Sequence, residues 1–135
     1  MKPKTLGRQL LIELFSCDRS LLDDPGRLEK AMQEAALKAG ATIVESVFHR
    51  FLPHGVSGVV VISESHLAIH TWPEHGYAAI DFFTCGEEID YWRAYAYLKE
   101  VFAAGQAEAR ELLRGGWCDG EGRLRPGSAA AERGK

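Results

Sequence analysis

The chain has 135 residues, 46% of them hydrophobic, 26% charged and 10% aromatic, which is the make-up of one ordinary soluble domain and excludes a fibre, a disordered tail or two domains. A chain of this length can bury roughly two-thirds of its unfolded surface, so its core needs no metal or disulfide staple. Sixteen basic against nineteen acidic residues leave a formal charge of −3, and no stretch gathers enough Lys and Arg to neutralise several phosphates, so no nucleic-acid partner is expected.

Cys17, Cys85 and Cys118 are odd in number and widely spaced, as expected of free thiols in a reducing compartment, and the cytoplasm is the expected location. The longest aliphatic run, Val59 to Ile62, is far short of the ~20 apolar residues of a membrane helix. Near the start, Leu10-Leu11-Ile12 is broken by Glu13 before an export-type segment forms, so neither a membrane partner nor export is expected.

Residues 8 to 15 alternate as a strand, with Leu10, Ile12 and Leu14 on one face. A helix follows, capped by Asp24, opened by Pro25, striped by Leu28, Met32, Ala35, Ala36 and Ala39, and ended by Gly40. Thr42 to Leu52 and Gly58 to Ile62 read as a hairpin around the turn signal Pro53-His54-Gly55. Ser65 to Thr71 and Tyr77 to Cys85 read as two more strands, joined through Trp72-Pro73-Glu74-His75-Gly76. Trp92, Tyr95, Leu98 and Phe102 mark the buried face of a second helix. From Gly105 onward lie seven of the fourteen glycines and five arginines with little periodicity. Residues 1–104 are therefore expected to form the domain and 105–135 a partly ordered tail, in which Glu108 to Leu113 reads as weakly helical. The order of elements predicts an α+β two-layer sandwich, one mainly antiparallel sheet covered by helices on one face. Its other face needs a partner or polar residues.

Chemistry-bearing residues concentrate in one stretch. Ser63-Glu64-Ser65-His66 interrupts two apolar runs with polarity that a buried strand rarely tolerates, and His70, Glu74 and Cys85 follow closely. His66 and His70 would share one face of a helix, but on an extended strand they stand ~13 Å apart, too far for one ion. The flanking Val59 to Ile62 and Trp72-Pro73 favour strand, so no metal is expected. No Gly-x-Ser-x-Gly elbow surrounds any serine, which disfavours a hydrolase triad. Taken singly, each residue also fits a plain structural role. Ser63 to His66 fits an exposed turn, His70 a satisfied strand histidine, Cys85 a small buried hydrophobe, Phe51 strand core and Glu74 a solvated turn residue.

Taken together, the residues carry a resemblance. Phe48-His49-Arg50-Phe51-Leu52-Pro53, Gly55-Val56-Ser57-Gly58, Ser63-Glu64-Ser65-His66-Leu67, His70-Thr71-Trp72-Pro73-Glu74 and Asp81-Phe82-Phe83-Thr84-Cys85-Gly86 closely resemble the prokaryotic S-adenosylmethionine decarboxylase proenzymes over roughly residues 5 to 103. The resemblance implies self-cleavage between Glu64 and Ser65 into chains of 64 and 71 residues, with Ser65 converted to a pyruvoyl group that forms the Schiff base with substrate. It further implies that Ser57 assists the acyl shift, that His70 removes the Ser65 α-proton, that Cys85 is the proton donor, that Phe51 stacks on adenine and that Glu74 binds ribose. The implied product supplies aminopropyl groups for spermidine. A ketone at the chain end is the electron sink that unmodified side chains lack, so neither metal nor pyridoxal phosphate is expected.

If the Trp72–Gly76 turn centres on Glu74, antiparallel pairing sets Cys85 opposite Ser63 and Phe83 opposite Ser65. His70 stands five residues from Ser65, ~16 Å on an extended strand, too far for direct proton transfer. An isologous homodimer with composite sites is therefore expected, Ser65 and Cys85 from one protomer and His70, Ser57 and Glu74 from the other. Ala68, His75 and Phe82 stand where the commonest form of the motif has Thr, Tyr and Leu, and the family's usual final strand lacks a clear counterpart. Two other readings stay open: the same pyruvoyl chemistry on arginine or ornithine, or an uncleaved regulatory homologue.

Overall fold

The computed structural model describes residues 5–126 and 129–134. In chain order the elements are β1 (Gly7–Phe15), α1 (Arg19–Leu22), α2 (Pro25–Lys38), β2 (Ile43–Arg50), β3 (Val56–Ile62), β4 (Ser65–Trp72), β5 (Tyr77–Thr84), α3 (Tyr91–Val101), β6 (Gln106–Arg114), β7 (Trp117–Cys118), β8 (Leu124–Arg125) and β9 (Ala129–Gly134). Seven strands form one sheet in the order β2-β3-β4-β5-β1-β6-β9, with every neighbouring pair antiparallel. The predicted α+β sandwich is the fold observed.

Local signals account for the helices. The Asp24 carboxylate accepts from the Arg27 N–H at 3.1 Å with Pro25 in the first turn, satisfying donors a helix start leaves open. Leu28, Ala31, Met32, Ala35 and Ala36 are its buried stripe. Asp90 caps α3 by accepting from the Trp92 N–H at 3.1 Å, and α3 buries Tyr91, Ala94, Tyr95 and Leu98. The sheet's helix-facing side carries Leu10, Ile12, Leu14, Val60, Ile62, Leu67, Ile69, Ile80 and Phe82, none more than 3% exposed. Strict alternation along β5 leaves Tyr77, Ala79, Asp81 and Phe83 half-buried on the opposite side. That open face has one row running His49, Ser57, His70, Ala79, Glu13, Glu108 across six strands.

Two expectations need correction. Glu108 to Leu113 is not helical: residues 106–114 are β6, paired with β1 from Gly7↔Arg114 to Phe15↔Gln106, so the sheet runs past the expected boundary at residue 104. Ala, Glu, Arg and Leu are good helix formers, but β1 would otherwise be an open edge, and long-range pairing overrides the local preference. Residues 1–4, 127, 128 and 135 lie outside the described ones. The second correction is register. Pro73–His75 is a 3-10 turn closed by Gly76 at φ +63°, a conformation suited to glycine. Trp72 pairs with Tyr77, Ser65 with Thr84 and His66 with Phe83, one residue away from the expected pairing.

Candidate active site

The residues singled out in the sequence gather at the two ends of β4. At its beginning, the turn Ser63-Glu64 links the pair Ile62↔Ser65. The corrected register sets Cys85 beside Glu64, whose carbonyl oxygen accepts from the Cys85 N–H at 3.0 Å and from the Cys85 thiol at 3.4 Å. Two donors on one carbonyl polarise it toward attack and favour negative charge on its oxygen. The next residue, Ser65, has φ +144°, outside the regions an L-residue ordinarily occupies, a strain that concentrates at reactive backbone positions. The turn is pinned further by Ser63 N–H on the Thr42 carbonyl at 2.9 Å and Thr42 N–H on Glu64 Oε1 at 3.3 Å. Gly86 fits against it because a Cβ there would meet Glu64 Cγ at 3.0 Å. Cys85 is exposed, so the buried-hydrophobe alternative fails for it. Cys17 fills that description instead, 7% exposed and pushed up to about 11 by burial and the adjacent Asp18 carboxylate.

At the far end of β4 lies a cleft of about 370 Å³ whose walls include Phe51, His54, Ser57, His70, Trp72 and Glu74. Ser57 and His70 face each other across β3 and β4, with Ser57 Oγ 2.8 Å from His70 Nδ1. Glu74 Oε1 is 3.1 Å from His54 Nε2. Phe51 is 47% exposed and edge-on to His49 at 4.6 Å between centroids, so it is a cleft wall rather than strand core.

Asp23, Arg50 and Thr71, none of them assigned a role from the sequence, hold this cleft. Asp23 pairs with Arg50 at 2.8 Å and accepts from the Gly55 N–H at 2.9 Å, clamping the 50–55 loop; the Arg50 guanidinium, then the Gly55 N–H, keep its carboxyl below the usual range. The buried Thr71 hydroxyl donates to the Leu22 carbonyl at 2.7 Å and accepts from the Val56 N–H at 2.9 Å. Aspartate after an apolar pair and threonine beside Trp-Pro carry no distinctive sequence signal, because their partners are 15 to 49 positions away.

Within one chain the two groups stay apart. Ser65 and His70 lie on the same straight strand five residues apart, ~16 Å by strand rise and on opposite faces by alternation. Between them His66 Nε2 meets Asp81 Oδ2 at 3.0 Å, and Gln9 Nε2 reaches the same oxygen at 3.0 Å. Among the described residues, no three His, Cys, Asp or Glu side chains converge where a metal could sit.

A family model described as S-adenosylmethionine decarboxylase matches residues 8–115. The chain belongs to that family. It is accordingly an enzyme, a decarboxylase, and β6 falls inside the matched region. Among curated relatives, the S-adenosylmethionine decarboxylase proenzyme of Thermosipho africanus is 57% identical over 112 residues, which are 83% of this chain and 86% of the relative. The crystal structure of the adenosylmethionine decarboxylase from Aquifex aeolicus superimposes with a TM-score of 0.74 at 34% identity, covering 80% of this chain and 89% of that one. The Trypanosoma brucei AdoMetDC-delta26 monomer shares the fold alone, with a TM-score of 0.58 at 16% identity over 78% of this chain and 45% of that one.

Proposed function

We propose that this chain cleaves itself between Glu64 and Ser65, and that the resulting pyruvoyl enzyme decarboxylates S-adenosyl-L-methionine to S-adenosylmethioninamine, supplying aminopropyl groups for spermidine. The observation that carries the reading is the doubly held Glu64 carbonyl beside a strained serine. Attack by Ser65 Oγ on that carbonyl carbon, with the oxygen's charge met by the two Cys85 donors, moves the acyl group from nitrogen to oxygen and leaves an ester. Removal of the Ser65 α-proton then expels the Glu64 carboxylate, and water hydrolyses the remaining unsaturated amine to a ketone and ammonia. His70 is the base for the elimination, and Ser57, hydrogen-bonded to it, supports the acyl shift.

The residues present fit the group: Cys85, held on the Glu64 carbonyl, adjoins the chain end that cleavage would create, which supports the reading. A ketone formed there from Ser65 would supply the electron sink that decarboxylation of an amino acid needs. Cys85 returns the proton to the substrate carbon, a role suited to an exposed thiol beside the new chain end. Phe51 offers an exposed aromatic face to adenine and to the sulfonium cation, and Glu74 an acceptor for ribose hydroxyls.

Because His70 and Ser57 are ~16 Å from their own Ser65, we infer an isologous dimer in which one protomer supplies Ser65 and Cys85 and its partner His70, Ser57, Phe51 and Glu74. The open face supports this: Val47, Val61 and Trp72 are 57%, 40% and 41% exposed there, apolar surface a single chain leaves uncovered. No described helix is long and apolar enough to cross a membrane, and free thiols support a reducing, cytoplasmic setting.

Intact mass spectrometry tests the reading. Freshly made protein is expected to pass from one 14.9 kDa species to two chains, the larger carrying a borohydride-sensitive ketone, while Ser65→Ala stays whole. Carbon dioxide is expected from S-adenosylmethionine and not from arginine or ornithine. Persistence of the single species, or release from the other amino acids, contradicts the proposal.

A further inference from the structure

We propose that Arg8 is a positioning residue for chain cleavage, acting through the Cys85–Gly86 segment that holds the Glu64 carbonyl. The inference rests on the reading of Glu64–Ser65 as the bond that breaks. Arg8 stands opposite Thr84 on β5, and Thr84 stands opposite Ser65 on β4, so three strands align at this end of the sheet. From β1, Arg8 Nη2 donates to the Gly86 carbonyl at 3.0 Å and also to the Ile89 carbonyl. The 86–89 turn is held weakly on its own, its Ile89 N–H reaching the Gly86 carbonyl at 3.4 Å, so Arg8 supplies the stronger tie across it. The guanidinium also lies over the ring of Tyr91, 4.9 Å from its centroid. Tyr91 in turn is fully buried and donates its hydroxyl to Glu111 at 2.6 Å, so the platform beneath Arg8 is anchored on β6.

What Arg8 grips is pressed against the scissile residue. A Cβ on Gly86 would meet Glu64 Cγ and Ile89 Cγ1 at 3.0 Å, a tight fit, and one residue earlier Cys85 aims its N–H and thiol at the Glu64 oxygen. The Gly86 N–H is itself tied back to Thr84 Oγ1 at 3.0 Å. Without the Nη2 contacts the 86–89 turn can shift, and both Cys85 donors lose their aim. Lysine keeps the charge and can reach one carbonyl, but it cannot serve both while presenting a flat cation to the ring.

Two measurements, each made on the full-length chain, test this. Cleavage followed by intact mass is expected to slow about tenfold or more in Arg8→Met, in line with the cost of small misplacements at reacting groups, and to recover partly in Arg8→Lys. Tyr91→Phe keeps the ring beneath the guanidinium and the Nη2 contacts but loses the hydroxyl bond to Glu111, and is expected to cleave much nearer the wild-type rate than Arg8→Met even where its Tm falls as far. In the uncleaved Ser65→Ala background, iodoacetamide mapped by peptide mass is expected to reach Cys85 faster when Arg8→Met is added, with Cys17 unchanged. Wild-type cleavage and unchanged Cys85 alkylation in Arg8→Met overturn the proposal, as does equal slowing in Tyr91→Phe. Where Arg8→Met does not fold, Arg8→Lys decides by the same two readings. A wild-type chain that never cleaves sinks the proposed function instead, and the alkylation comparison still judges Arg8's hold on Cys85.

Discussion

The two ends of β4 are built by different means. At the Ser65 end the important contacts are made by backbone: the Cys85 N–H, the Glu64 carbonyl and the Thr42 carbonyl are locked into the sheet register, and the thiol follows because its own N–H is fixed. At the His70 end the contacts are between side chains, Ser57 with His70 and Glu74 with His54, around a cleft open to solvent. One end is pre-strained and holds its carbonyl with donors from its own chain; the other is pre-shaped and, on the composite-site proposal, acts on the reacting bond of a second protomer. On that proposal a single strand carries a cleavage site and a recognition site that serve different active centres.

Substitutions that strike only one end sharpen this contrast. The largest effect is expected at the backbone end. Cys85→Ala keeps the N–H on Glu64 but removes the thiol, the weaker of its two donors and the proposed proton donor, so cleavage is expected to persist at a reduced rate while kcat of the mature enzyme falls much further, roughly 100-fold or more. A steady-state assay on protein shown by mass to be cleaved checks this. At the cleft, Glu74→Gln keeps the shape and removes the charge. KM for S-adenosylmethionine is expected to rise about tenfold, as for the loss of the one charged hydrogen bond proposed to ribose, with the cleavage half-time unchanged. Similar damage to both steps by either variant breaks the division between the ends.

The smallest effect concerns the buried thiol. Cys17 is raised from 9.0 to about 11 in the fold, so the folded state holds its proton where the unfolded chain has lost it. Its contribution to stability is complete below pH 9 and is lost as pH climbs to about 11. Tyr77, raised to about 12 chiefly by burial and then by its bond to Glu13, adds in the same direction at higher pH. Urea unfolding of Cys17→Ala is expected to show a shallower loss of stability between pH 9 and pH 11.

Much of this architecture is legible in the sequence because hydrophobic period and turn residues act locally. Leu10, Ile12 and Leu14 announce β1, Asp24-Pro25 announces α2, and both proved to be as read. Register was missed by one residue because Pro73 to Gly76 form a four-residue loop, and nothing local distinguishes it from a turn centred on Glu74. With a side-chain period of two, that slip moves Cys85 from Ser63 to Glu64, the residue whose carbonyl it holds. β6 was missed because Ala, Glu and Leu favour a helix until β1 offers them an edge. The cleft residues Phe51, Ser57, His70 and Glu74 were legible as a motif, whereas Asp23, Thr71 and Arg8 act through partners far along the chain.

Complementation between two inactive variants tests the composite site most directly. Ser65→Ala and His70→Ala chains, each silent alone, are to be co-expressed and their mixed dimers isolated by differential tags. One of the two sites in such a dimer pairs an intact Ser65 with an intact His70, so cleavage of the His70→Ala chain and up to half the wild-type decarboxylation are expected to return. Mixed dimers as inactive as either parent would show that each chain builds its centre alone and contradict the account.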